Sequence, residues 1–278
     1  MNISTESRMN TKRFEYLFNR LDSRWNSPYA IKRYIHRIKI EKICSQLEPG
    51  ESLLDAGRGG SVDGVLGVFA AKKGLQVTIS NVSEDNLDVI KYFAELQGVR
   101  EKIIFVKSNP DNLVFDSETF DIVASLHVLE HLADFNKGLN EIYRVTKKKA
   151  IIALPTCINP CAFSRLGGAD YFRFTLLSPI AFIYGFIRII YHILKGDDGV
   201  EETMEELGQT IKHKWRFPWK MRSSLRGAGF VIDKFEPDSV CIPWFPFMLS
   251  IMKFLDRYSH LPLIRECGLG SHVFVSKK

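Results

Sequence analysis

Between Ser27-Pro28 and Pro49-Gly50 the apolar residues Ile31, Tyr34, Ile35, Ile38, Ile43 and Leu47 recur near helical spacing, with Ser as cap and Pro in the first turn. Past Gly50 the period shortens. Short apolar runs predict strands over 52–56, 76–80, 102–106, 120–126 and 150–154, and helical spacing predicts helices over 62–73, 84–97 and 135–145. The rhythm breaks over 156–216. It returns with a helix over 220–226, a stop at Gly227-Ala228-Gly229, and strands over 230–235 and 272–276, themselves separated by an irregular segment, 240–270.

Strands alternating with helices of this length imply right-handed crossovers and a parallel sheet covered on both faces, a doubly wound α/β domain. The expected division is an N-terminal helical segment over 1–48, a core over 49–155 and 217–278, and two helical insertions over 156–216 and 240–270. In the first insertion a helix begins at Ser178-Pro179 and stops at Gly196. Its polar residues Tyr184, Arg188, Tyr191, His192 and Lys195 form one narrow stripe on an apolar cylinder. At 1.5 Å per residue its apolar stretch reaches about 24 Å, short of a bilayer's roughly 30 Å hydrocarbon core, so a spanning helix is not expected. In the second insertion Trp244, Phe245 and Phe247 lead into a segment with Ser250, Lys253, Arg257 and His260 along one face.

Composition narrows the class. The 278 residues are 45% hydrophobic and 25% charged, which excludes disorder, collagen and coiled coil and suits one large domain with additions. A net charge of +6 is mild over this length, and no nucleic-acid module is recognisable, so nucleic acid is not expected as partner. Five scattered cysteines in a chain this large make a disulfide framework unexpected and reduced cytosol the default. Cys157 and Cys161 read as small buried hydrophobes. The N-terminus has early charges and no continuous apolar run, unlike a secretory signal.

In an open parallel sheet the ligand crevice lies beyond the carboxyl ends of the strands, which directs attention to the turn LLDAGRGGSVDG. Gly57, Gly59 and Gly60 allow a sharp bend and close approach of backbone to ligand. Asp55, Gly57 and Gly59 there resemble the Asp-x-Gly-x-Gly motif of class I S-adenosylmethionine-dependent methyltransferases. The segment FDIVASLHVLEHLADF at 120–135 resembles, more specifically, the fourth-strand motif of the type 11 group of that family. The flanking FDSETFD, the strand ending ALPT, the junction FPWKMRSSLRGAGF and the terminal SHVFVSKK resemble the same group, so the likeness covers about 45–155 and 213–278. It implies a Rossmann-like methyltransferase fold with a mostly parallel seven-stranded sheet and helical lid insertions. It also implies S-adenosyl-L-methionine as cofactor, with Asp55, Gly57 and Gly59 on its methionine and ribose side. By the same match Asn81 falls at the ribose position, Asn109 faces adenine, and Leu126 and His127 flank the sulfonium. Three residues depart from the family pattern: Asn81 and Asn109 replace common acidic residues, and Arg58 replaces a small one. Asn81 can accept a hydroxyl hydrogen bond without the charge that strengthens it. The implied function is methylation of an oxygen on a small or lipid-linked acceptor; the alternative is a catalytically silent, methyltransferase-like binding protein.

His127, Glu130 and His131 spell H-x-x-E-H, which also matches an inverted zinc-protease motif. That reading needs one long helix, whereas His127 here leaves a strand. Some methyltransferases similar over this segment bind a divalent ion through Glu-x-x-Glu-His, but His127 stands at the first Glu, and no metal is expected. Glu130 and His131 read as tying the loop to neighbouring backbone. If a general base is used, His127 and His213 are the candidates, since imidazole accepts a proton near neutral pH.

The two apolar insertions have two open readings. They can pack on each other and on the sheet as a lid, or they can seat in a membrane interface and give access to a lipid-linked acceptor. The expected location is accordingly cytoplasmic, with peripheral membrane contact under the second reading. The acidic run from Asp197 to Glu206 reads as a solvated face, with the basic aromatic stretch from His213 to Arg222 as its partner. No motif bears on oligomeric state or on the identity of the acceptor.

Overall fold

Seven strands form one sheet in the computed structural model, which describes residues 12–57, 64–206, 209–245 and 247–277. In chain order they are β1 (Ser52–Ala56), β2 (Gln76–Asn81), β3 (Ile103–Lys107), β4 (Phe120–Leu126), β5 (Thr146–Pro155), β8 (Val231–Pro237) and β9 (Gly270–Ser276). Across the sheet the order is β3-β2-β1-β4-β5-β9-β8. The first five strands pair in parallel, and β9 runs antiparallel to both its neighbours. The expected doubly wound, mostly parallel seven-stranded sheet is present.

Period-2 alternation divides the core. Leu53 of β1 packs on one face with Leu66, Ile79, Ile90 and Phe93, and its neighbour Leu54 packs on the other with Val123, Leu139, Ile142 and Leu225. The first face is covered by α3 (Val65–Lys73), α4 (Glu84–Leu96) and α1 (Lys12–Trp25), whose Phe14, Leu17 and Leu21 are buried. The second is covered by α5 (Phe135–Val145) and α8 (Pro218–Gly227). Helix α2 (Ala30–Cys44) is shorter than the Pro-Gly stop suggested. Its Ile35 belongs to a third cluster, with the insertions.

The first insertion is not wholly helical. It holds α6 (Pro160–Leu166) and α7 (Ser178–Lys195), but also an antiparallel hairpin of β6 (Gly199–Glu206) and β7 (Gln209–Arg216). Glu201 to Glu206 of the acidic run therefore lie on one strand, with Asp197 and Asp198 just ahead of it, and part of the basic stretch lies on the strand beside it. They do pair: Asp198 meets Lys214 at 2.5 Å and Arg216 at 2.7 Å, and Glu201 meets Lys212 at 3.2 Å. Helices α6 and α7 cross at glycines. A Cβ on Gly185 would lie 1.9 Å from the Phe163 carbonyl oxygen, and one on Gly167 would lie 1.7 Å from that of Ala181.

The second insertion holds α9 (Met248–Arg257) and α10 (Pro262–Glu266). Cys161 of α6 and Cys241 ahead of α9, 80 positions apart in sequence, form a disulfide, with Cα atoms 6.2 Å apart. The free-thiol reading of Cys161 is corrected here; no spacing rule connects cysteines so far apart. Cys157 is a buried thiol, as read.

The narrow polar stripe expected on α7 is also corrected. Ser178, Gly185 and Ile189 face inward, while Ile180, Ile183 and Ile187 are as exposed as Tyr184 and Tyr191. The contact with α6 runs through glycine, which leaves the large apolar side chains outside. No helix among the described residues is long and apolar enough to cross a membrane.

Candidate active site

Strand order reverses direction between β1 and β4, so their carboxyl ends diverge to leave a cleft at the switch point. Asp55, Ala56 and Gly57 line it from β1, Gly64 and Leu66 from the start of α3, Leu126 and Val128 from β4, and Ile40 from α2. Three predicted cofactor residues, Asp55, Gly57 and Leu126, thus meet at one cleft. Gly59 and Arg58 lie outside the described residues.

Each wall has a local cause. Asp55 is buried, and its Oδ2 accepts the Gly67 N–H at 2.8 Å, fixing α3 against the end of β1. The Gly57 N–H donates to the Ser80 carbonyl at 2.8 Å, continuing the β1–β2 ladder into the turn. Gly64 has φ +86°, and a Cβ there would stand 3.0 Å from both Ile79 and Ile90, so glycine is required on two counts. Asn81 ends β2 and is buried; its side-chain oxygen accepts the Ser83 N–H at 2.9 Å, an Asx turn that starts α4. Asn109 follows β3 on an exposed turn, where its side-chain oxygen accepts the Asp111 N–H at 3.4 Å. Both Asn residues sit at strand ends on the carboxyl edge, and each has its carbonyl engaged by local backbone.

His127 leaves β4 with φ +58°, a left-handed conformation that histidine adopts more readily than most residues. Its own N–H still donates to the Ala153 carbonyl at 2.9 Å. The reversal aims the ring at a buried cluster of charge. Nδ1 is 3.3 Å from Glu130 Oε1, and Nε2 is 3.3 Å from Lys39 Nζ and 3.7 Å from Asp238 Oδ2. Lys39 and Asp238 are themselves 2.5 Å apart. An ammonium can only donate, so Nε2 accepts from Lys39, and the ring proton sits on Nδ1, facing Glu130.

Glu130 also stands 3.8 Å from Nε2 of His213, on β7. The two candidate bases are therefore brought to the same oxygen, Oε1, of one buried carboxylate. Their protonation differs. Burial and Lys39 pull the His127 pKa down, but the carboxylates of Asp238 and Glu130 outweigh them and raise it above 6.5. Burial pushes His213 down to about 4, against the opposing pull of Glu130. Despite burial, His127 holds Glu130 below the usual carboxylate range, and Lys39 and His127 hold Asp238 well below it.

Sequence reading passed over Lys39 and Asp238. The one signal was Asp238 directly after a strand that ends on the carboxyl edge. The reading of Glu130 as a tie to backbone is revised, since its oxygens face histidines; His131 does meet backbone, with Nδ1 3.2 Å from the Lys212 carbonyl. Glu130, His131 and His213 each offer one ligand atom, all within 4.8 Å of one another, so this group could hold a metal ion. The third member comes from the hairpin, which the H-x-x-E-H motif alone cannot show.

Residues 54–154 match a family model described as a methyltransferase domain. A ubiquinone biosynthesis O-methyltransferase from Bartonella tribocorum is 28% identical over 155 residues, covering 50% of this chain and 61% of the relative. A ubiquinone/menaquinone biosynthesis C-methyltransferase UbiE from Vibrio vulnificus is 28% identical over 119 residues, covering 42% and 45%. The matches thus span between about half and three-fifths of these curated relatives. The crystal structure of a SAM-dependent methyltransferase from Methanosarcina mazei superposes with a TM-score of 0.55 at 16% identity, covering 85% of this chain and 96% of that one, a likeness of fold. The sheet order, the cleft at its switch point and the match over 54–154 are together consistent with the class I methyltransferases, type 11 group.

Proposed function

We propose that this protein is an S-adenosylmethionine-dependent methyltransferase that methylates an oxygen on a small or lipid-linked acceptor. The observation that carries the reading is the meeting of Asp55, Gly57 and Leu126 at one cleft, with His127 between the lining residues Leu126 and Val128. The donors present suit the cofactor. Asp55 and Gly57 would hold its methionine and ribose side, Asn81 and Asn109 lie at the strand ends expected for ribose and adenine, and Leu126 offers apolar surface beside the sulfonium. When bound, S-adenosylmethionine supplies an electrophilic methyl group. The chain's part is to hold the acceptor in line and to take its proton.

His127 suits that second task better than His213. Its Nδ1 faces Glu130 at 3.3 Å, which turns Nε2 toward Lys39 and makes it the nitrogen that would take a proton once that contact is exchanged, and its pKa is raised. His213, pushed down to about 4, is a weaker base and stands 3.8 Å from the same Glu130 oxygen. The hydroxyl proton would pass to Nε2, exchanging for its contact with Lys39, which keeps its ion pair with Asp238, as the acceptor oxygen takes the methyl group and S-adenosylhomocysteine leaves. The two curated relatives are named for oxygen and carbon methylation respectively; a base there favours oxygen, because a hydroxyl acceptor has a proton to lose. The exposed apolar face of α7 favours the lipid-linked form of the acceptor.

The test is methyl-labelled S-adenosylmethionine with cell extract separated into organic-soluble and aqueous fractions. Label is expected in the organic fraction, and His127→Ala should lower transfer by about 10²–10⁴-fold. Label in neither fraction overturns the reading.

A further inference from the structure

We propose that the outer face of α7, with the adjoining aromatic loop and α9, is a docking surface for an anionic phospholipid bilayer. The face is apolar from end to end. Leu176, Leu177, Ile180, Ile183, Ile187 and Leu194 are 92%, 70%, 66%, 59%, 58% and 82% exposed. At 1.5 Å per residue they extend over about 27 Å, far more than the scattered apolar residues of an ordinary surface. The patch continues into the second insertion. The Phe174 ring lies 5.6 Å from that of Trp244 and 5.8 Å from that of Phe245, and Phe245 stacks on Phe247, itself 67% exposed. The Cys161–Cys241 disulfide and the glycine crossing of α6 and α7 hold the two segments together as one surface.

Charge selects the occupant. From Tyr171 to Lys195 there is no acidic residue; Arg173 is exposed at one end and Lys195, 3.9 Å from Asp197, lies at the other, while Arg188 donates to the Leu166 and Glu201 carbonyls. From Val240 to Ile264 the one acidic residue is Asp256, which is buried against Lys42 and Tyr34, while Lys253 and Arg257 are exposed. A self-associating contact would set this patch against its own copy, bringing Arg173, Lys253 and Arg257 together with no exposed acid in these two segments to meet them. Apolar side chains rimmed by cations match the interface of an anionic leaflet, where each nearby Lys or Arg adds attraction. With no helix among the described residues able to cross, the protein would lie on the bilayer.

The surface bears on the lipid-linked acceptor proposed above. Vesicle binding needs no cofactor, so its failure and a failure of cofactor binding are read separately. The test is flotation of the full chain with phosphatidylcholine vesicles and with vesicles carrying about a third phosphatidylglycerol. Binding is expected to the anionic vesicles, weakened by salt, and at least tenfold lower for Ile180→Glu/Ile187→Glu, whose unchanged thermal melt shows that it folds. Three results overturn the proposal: no binding to anionic vesicles at low salt, equal binding to both compositions, or binding unchanged in the double variant. So does a lipid-free dimer that the same variant dissociates, since the face would then be covered by a second copy.

Discussion

Lys39 of α2 and Asp238 at the end of β8 form an ion pair at 2.5 Å, joining a helix that precedes the sheet to one of its last strands beside the cleft. Asp238 has a fully buried side chain, and its Oδ1 also accepts the Gly270 N–H at 2.8 Å. Removing the ammonium strands a buried carboxylate. Lys39→Met should cost about 3–5 kcal/mol of stability in chemical denaturation, and adding Asp238→Asn should return part of that loss. A loss below about 1 kcal/mol would contradict the pairing.

The histidine cluster predicts a pH profile. The His127 pKa is raised, so the proton-accepting form grows as pH passes above 6.5, and kcat/KM should climb there. Glu130→Gln removes one of the carboxylates that raise it, and the climb should move to lower pH. A limb that stays in place in Glu130→Gln contradicts the role given to Glu130.

Stability should respond to the same groups with opposite signs. The raised His127 pKa contributes stability that is present below 6.5 and lost as pH rises through the folded value. His213 is depressed to about 4, so its contribution is present above 6.5 and lost as pH falls toward 4. Unfolding curves of His213→Gln should lose the acid-side slope between about pH 6.5 and 4, while the climb in activity remains.

The strand-and-helix rhythm made most of this fold legible, because Leu53, Leu54, Ile79 and Val123 follow the periods that burial on two faces demands. Asp55, Gly57 and Leu126 were legible through the family resemblance, which falls at the ends of strands that periodicity fixes. The β6–β7 hairpin was not, since Glu201, Glu202, Lys212 and Lys214 are charged on strands stabilised by cross-strand ion pairs, without the apolar alternation that marks a half-buried strand. Lys39 and Asp238 meet only through tertiary folding, which no local pattern encodes.

The crossing of α6 and α7 gives a packing test. Gly185→Val would drive a side chain into the Phe163 carbonyl, and thermal melting should register a loss of about 1–3 kcal/mol or more. Ile183→Val, on the exposed face of the same helix, should be nearly neutral.

The cleft itself is tested by binding. Isothermal titration of the full chain with S-adenosylmethionine should give a saturable single-site heat. Asp55→Ala, which leaves the buried Gly67 N–H without its acceptor, should abolish that heat while costing about 1–3 kcal/mol in stability. Absence of heat from the unaltered protein at millimolar cofactor would contradict the account and leave a methyltransferase fold that binds something else.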